Sequence, residues 1–300
     1  MRVDVVVPAH DAETYLRSTI DGILAQDLAA NVGDQYHLNS IFIVDDGSQD
    51  QTRSIAASYG HPVRVVSTPG VGNVAARNAA LEQSDAELIA FCDADDIWEP
   101  GKLTAQLPAF SDPEVVASCT ALRQIDSAGR CMTTKGATWS ESTIRSLLLD
   151  EFVMPVPLSS WVVRRSAFNV LDRSLPVGAD LELASRLVRA GRIHYAAQPL
   201  LRYRVHGGSI SASRAVEQQL VRRYLRVRYT HNHSVAYDAW RQDYRPTWRD
   251  KRKDAAVYHF RTAGQKASDG LRVRAFVHLT ASGLLDIREL TRKLHALRST

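Results

Sequence analysis

Over its first 110 residues the chain repeats one pattern four times: a short run rich in Val, Ile and Phe, then a longer stretch of helical periodicity. The pairs are Val3–Val7 with Ala12–Gln26, Ile41–Val44 with Gln51–Tyr59, Val63–Val66 with Val71–Gln83, and Leu88–Cys92 with Gly101–Phe110. Runs that are apolar on both faces need cover on both faces, and alternating helices supply it. The pattern therefore predicts an α/β fold with a mixed, mostly parallel sheet flanked by helices. Such sheets bind ligands beyond the carboxyl ends of their strands. The polar motifs fall at those ends: His10-Asp11, Asp45-Asp46-Gly47-Ser48, Thr68-Pro-Gly-Val-Gly72 and Asp93-Ala-Asp95.

Beyond about residue 112 the pattern is mixed, with strands expected at Val115–Arg123, Trp161–Val163 and Leu200–Val205 and a helix at Leu181–Ala190. From about Ala215 the chain turns helical and basic, with breaks near Pro246 and Gly270. The net charge of +4 conceals an asymmetry: residues 215–300 hold 18 Lys/Arg against 8 Asp/Glu, leaving 19 against 25 in residues 1–214. We read 1–214 as an α/β catalytic or binding domain and 215–300 as a basic helical appendage. At 45% hydrophobic residues the chain has ample material for a core.

Three scattered cysteines suit neither a disulfide framework nor a zinc site and point to a reducing compartment. Neither a secretory leader nor an apolar run near the roughly 20 residues of a membrane span is expected. A cytoplasmic protein follows, with any membrane contact peripheral and made by the basic tail at anionic lipid. An acidic acceptor or a partner subunit could use the same tail. Its other reading is a solvated basic face. Nucleic acid is not expected, since no RNP, KH or zinc-finger signature is present.

Asp93-Ala94-Asp95-Asp96 follows an apolar strand. In extended backbone, side chains two apart share a face, so Asp93 and Asp95 converge. Hard carboxylate oxygens there suit Mn²⁺ or Mg²⁺ shared with a diphosphate. The alternative is an acidic loop that caps the next helix. Asp46 can accept the imide N–H of a base such as uracil, or ribose hydroxyls; alternatively one Asp of the pair forms the turn and another caps a helix. Gly70-Val-Gly-Asn-Val-Ala75 matches a dinucleotide fingerprint, which keeps a dinucleotide-dependent oxidoreductase in view, although it sits in the third strand–helix unit rather than the first. Arg77, one turn into that helix, can face phosphates or form a surface ion pair. Trp98 and Cys92 read as core residues.

In order along the chain, these segments resemble the family 2 glycosyltransferases, inverting enzymes of the GT-A fold. Val6–Leu16 is similar to their opening V-P-x-Y-N-x-E-x-x-L, Val44–Thr52 to V-D-D-G-S-x-D-x-T, and Gly72–Leu81 to G-x-x-x-A-R-N-x-G-L. Asp93–Asp95 sits where their D-x-D lies, and Arg202–Ser211 resembles a late Y-R-x-H-x-x-S-x-S. The resemblance covers about residues 1–211.

It implies an inverting, metal-dependent transfer of a sugar from a UDP-, dTDP- or GDP-sugar to a glycan, lipid-linked or small-molecule acceptor. Pro8, Ala9, His10, Glu13, Asp45 and Asp46 would line the nucleoside pocket, and Arg77, Asp93 and Ala94 would hold the donor. Asp95 and Asp93, with His206, would bind the metal, and Asp180 would be the catalytic base. His10-Asp11 replaces the family's Tyr-Asn, and Ala179 stands where a Glu often precedes the base. Glu182 is a rival base, and Asp180 could instead cap the helix behind it. An inactive module that binds sugar nucleotides would carry most of the same residues.

Overall fold

The computed structural model describes residues 1–26, 28, 35–206, 214–230, 235–245, 250 and 254–255. The expected strand–helix alternation is present. It runs β1 (Arg2–Ala9), α1 (Leu16–Leu24), β2 (His37–Asp46), α2 (Thr52–Ala57), β3 (Val63–Thr68), α3 (Asn73–Gln83) and β4 (Leu88–Phe91). Then follow β5 (Ile97–Trp98), α4 (Lys102–Gln106), β6 (Val115–Ile125), β7 (Cys131–Lys135), α5 (Glu141–Leu149), β8 (Val162–Arg164), α6 (Ala179–Ala190) and β9 (Arg192–Arg204). The tail contributes α7 (Ala215–Thr230) and α8 (Tyr237–Asp243). The breaks expected near Pro246 and Gly270 lie outside the described residues.

Among the described residues the strands form one sheet in the order β3-β2-β1-β4-β8-β6-β9-β5, with β7 paired to β6. The first four strands are parallel to their neighbours, whereas β4 pairs β8, β8 pairs β6 and β5 pairs β9 antiparallel. Val3, Val5, Val6 and Val7 are wholly buried, which explains why β1 lacks a solvent face. Asp4 is buried among them because Asn39 Nδ2 (2.8 Å) and Ser84 Oγ (2.5 Å) donate to its carboxylate. The register sets Ala9 opposite Asp45 and Asp46 opposite Thr68, so the carboxyl ends of β1, β2 and β3 are level.

Helix α1 starts later than Ala12 because the preceding residues pair with the loop after β2. Ala12 N–H donates to Thr52 Oγ1 (2.7 Å), Glu13 N–H to an Asp50 oxygen (3.0 Å) and Gln51 N–H to Glu13 Oε2 (3.0 Å). Helix α5 was not expected. Its signal is a capping box, in which the Ser140 hydroxyl accepts from Thr143 N–H, followed by buried Ile144 and Leu148 one turn apart.

The chain divides into two compact units: residues 1–123, 134–173 and 179–203, and residues 124–133, 174–178 and 204–300. In the second, Tyr224 packs edge-on against Tyr237 and near Trp240, whose ring stacks on Tyr244 at 4.7 Å. Arg223 pairs with Asp254 (2.9 Å) and Asp250 (3.3 Å). No described helix is long and apolar enough to cross a membrane.

Candidate active site

The carboxyl ends of β1, β2 and β3 support one bonded platform. Pro8 and Ala9 are buried at the end of β1. His10, with 60% of its side chain exposed, donates from Nδ1 to the Asp46 carbonyl (2.8 Å). That carbonyl can only accept, so the bond fixes the proton on Nδ1 and holds the ring at the rim. Asp45 is the turn former of the pair, accepting from Ser48 N–H (3.2 Å).

Asp46 is more fully engaged than its motif implied. Its carboxylate accepts from Thr68 Oγ1 (2.6 Å), Val71 N–H (2.7 Å) and Gly72 N–H (2.7 Å). Burial pushes its pKa up, but these bonds and one from Gly70 outweigh burial and leave it below the ordinary value. The N–H groups of Val71 and Gly72 are thereby spent on Asp46. In a dinucleotide site they would be open to a pyrophosphate, so the geometry speaks against the oxidoreductase reading. Gly47 is required for this closeness: its φ is +75°, and a Cβ there would stand 3.0 Å from Gly70 N.

Beyond β4 the acidic residues form a turn, closed by Asp96 N–H donating to Asp93 O (3.1 Å), rather than the extended backbone expected. The turn is fixed from within. Buried Thr19 on α1 reaches the carbonyls of Ala94 (2.9 Å) and Asp96 (2.7 Å) through its hydroxyl, and Ser159 Oγ accepts from Asp93 N–H (2.9 Å). Trp98, 1% exposed, donates from Nε1 to Ser159 O (2.9 Å), which confirms it as core. Thr19 and Ser159 carried no motif. Their only sequence signal is a hydroxyl at an otherwise apolar position.

Arg77 reaches Asp93 in a close ion pair, its guanidinium side chain only 8% exposed and the carboxylate side chain 33% exposed. It is not the surface pair its alternative reading offered. Burial raises the Asp93 pKa, Arg77 lowers it, and the charges of Asp95 and Asp180 raise it; the net direction is upward. Although a third of Asp93 is open, protein atoms crowd the rest, and we attribute the shift to that crowding and to its two acidic neighbours. Asp95 and Asp180 are half-buried.

Helix α6 begins at Ala179, so Asp180 lies inside the first turn rather than at the cap. A negative charge is favoured there by the helix dipole. Glu182 is 1% exposed and its Oε2 accepts from Arg186 Nε (2.9 Å), which commits it to structure. Arg186 Nη2 also donates to Val170 O (2.9 Å). On α3, the neighbour of Arg77, Asn78, bonds Leu171 in both directions, through Nδ2 to O (3.0 Å) and Oδ1 from N–H (2.9 Å).

A hard divalent cation fits the acidic turn. Asp95 and Asp180 both bring negative charge to bear on Asp93 beyond what Arg77 offsets, a cation would relieve it, and carboxylate oxygen is the preferred ligand of such a cation. No three His, Cys, Asp or Glu side chains gather as a metal cage among the described residues. His206 belongs to the second compact unit.

Known proteins resemble this chain over much of its length. An uncharacterized glycosyltransferase of Nostoc sp. (strain PCC 7120 / SAG 25.82 / UTEX 2576) is 27% identical over 236 residues, 73% of this chain and 70% of that protein. One from Rickettsia prowazekii (strain Madrid E) is 24% identical over 211 residues, 68% of this chain and 64% of that protein. The chain spans about two thirds of the length of the curated relatives it matches.

Among solved structures, S. aureus TarS 1-349 in complex with UDP-GlcNAc superposes with a TM-score of 0.58 at 17% identity, covering 100% of this chain and 88% of that one. The mannosyltransferase PcManGT from Pyrobaculum calidifontis, in complex with GDP-Man and Mn²⁺, gives 0.55 at 16% identity, covering 98% and 80%. These likenesses show the fold, which is GT-A. The profile of Glycosyl transferase family 2 matches residues 4–171, more than half of the chain, and the chain belongs to that family.

Proposed function

We propose that the chain transfers a sugar from a nucleotide-diphosphate sugar to an acceptor hydroxyl or amine in one displacement with inversion. The observation that carries this reading is the grouping of Asp93, Asp95 and Asp180, with Arg77 paired to the first and Glu182 withdrawn into structure. The His10 ring offers a face for the base, and Asp46 holds the loop beneath it. Arg77 and the acidic turn hold the diphosphate end. Asp180 takes the acceptor proton as the acceptor oxygen or nitrogen bonds to the anomeric carbon. The bond from that carbon to phosphate oxygen breaks on the opposite face, and the nucleoside diphosphate leaves with the electron pair.

Mn²⁺ or Mg²⁺ bound by Asp95 and Asp93 would neutralise charge on the departing diphosphate. UDP-GlcNAc, UDP and GDP-Man in the neighbouring structures support a nucleotide-sugar donor. The test is a panel of UDP-, GDP- and dTDP-sugars with and without Mn²⁺, read by donor hydrolysis and by thermal shift. Turnover of at least one donor, lost in Asp180→Asn but not through weaker donor binding, is expected. Donor binding without turnover would identify an inactive binding module instead.

A further inference from the structure

Helix α3 carries Arg77, the partner of Asp93, and helix α6 carries Asp180. Between them runs Val170–Leu171, held from both sides. Asn78 of α3 bonds Leu171 reciprocally at 3.0 and 2.9 Å, with Asn78 2% and Leu171 0% exposed. Arg186 of α6 donates to Val170 O at 2.9 Å while its Nε holds Glu182 at 2.9 Å. A buried amide is costly unless both its ends are satisfied, and a side chain bonded twice to one residue fixes orientation as well as distance. An apolar side chain of similar size would fill the space without fixing either.

We infer that Asn78 and Arg186 are positioning residues that set the separation between the donor site at Asp93 and the base Asp180. They do so by gripping Val170 and Leu171 from opposite sides. The inference rests on the proposed role of Asp180. Asn78 acts through Leu171, and Arg186 through Val170 and Glu182. Catalysis is sensitive to such placement, since a shift of about 1 Å can cost about a hundredfold in rate.

The test uses the full chain and whichever donor of the panel turns over with Mn²⁺, following hydrolysis, donor KM and hydrogen exchange at the Leu171 amide. Asn78→Ala and Arg186→Lys should each lower kcat about tenfold or more, leave KM within about twofold, and speed Leu171 exchange. The double variant should fall no more than about threefold below the slower single variant, because both act through one segment. Arg186→Lys, at a partly exposed site, serves if Asn78→Ala does not fold. A raised KM with kcat unchanged, or losses that multiply, overturns the inference. Asp180→Asn should abolish turnover with Leu171 exchange unaltered. Near-normal turnover in Asp180→Asn, with slow Asn78→Ala and Arg186→Lys, would remove the base assignment separately.

Discussion

Arg77 and Asp93 form an ion pair whose cationic side is almost fully enclosed and whose anionic side keeps a third of its surface open. The open part of the pair is therefore its carboxylate. Arg77 is also the counter-charge that acts most strongly on Asp93, against Asp95 and Asp180. Replacing Arg77 by Ala should cost about 3 kcal/mol of stability, since a carboxylate is left crowded and uncompensated. Donor affinity should fall at least tenfold. Urea denaturation and calorimetric titration with UDP and GDP would measure both.

Asp46→Asn exchanges an acceptor of several N–H and O–H bonds for an amide whose NH₂ opposes one of its donors. A loss of about 2 kcal/mol is expected, with weaker donor binding. The folded-state pKa of Asp46 lies below the ordinary 3.8. Its contribution is therefore complete above that value and disappears as pH falls through the lower, folded value. Wild type should lose stability in that acid window more steeply than Asp46→Asn does, as acid titration of the unfolding midpoint would record.

Gly47→Ala places a methyl group 3.0 Å from Gly70 N at a φ of +75°. We expect a destabilisation of about 1–2 kcal/mol from the backbone alone. The thermal midpoint should fall and hydrogen exchange should rise across the Gly70–Gly72 loop, with the acidic turn unaffected.

Lys102 is wholly buried, with Nζ 4.0 Å above the Trp98 ring and 2.8 Å from Gln106 Oε1. Burial, opposed by the nearby Cys92 and Cys119 thiols, brings its pKa down to about 7. The unfolded chain holds this proton up to the ordinary 10.5, so between about 7 and 10.5 the unfolded state binds more protons and stability rises with pH. Below about 7 the fold bears the full penalty of an enclosed ammonium, on the order of a few kcal/mol. Lys102→Met should raise the midpoint at pH 6.5 more than at pH 9. An equal effect at both would place the lysine's proton elsewhere.

The sheet was legible because β1, β4 and most of β2 are buried on both faces, and a strand in that setting has little choice of residue; β3, at the sheet edge with Arg64 and Ser67 exposed, showed itself only through its valines. Strands β5 and β7 were not. Ile97–Trp98 is too short to show a period, and Cys131–Lys135 is an exposed to half-buried run without apolar alternation. Asp93 and Asp95 were conspicuous as charged groups at a strand end and Arg77 by its place one turn into a helix, whereas Asp180, also inside a helix, was singled out through the family resemblance. The partners of Asp46 were not legible, because a carboxylate in sequence does not disclose which backbone donors will fold over it. Thr19 and Ser159 escaped for the complementary reason, and Asn78 was met only as a letter of the Gly72–Leu81 motif: each satisfies a backbone group far away in the chain, and long-range pairing leaves no local trace of its role.

Glu99 accepts two bonds from Arg202, at 2.8 and 2.9 Å, and one from Arg123 at 2.8 Å, while Arg204 donates to the carbonyls of Asp126 and Ser127 at 3.2 Å. Both arginines of the late signature are rivets. A homologue could retain those two letters with the proposed chemistry at the acidic turn and the start of α6 erased, so in a genome survey the two arginines by themselves would testify to a sturdy scaffold and no more.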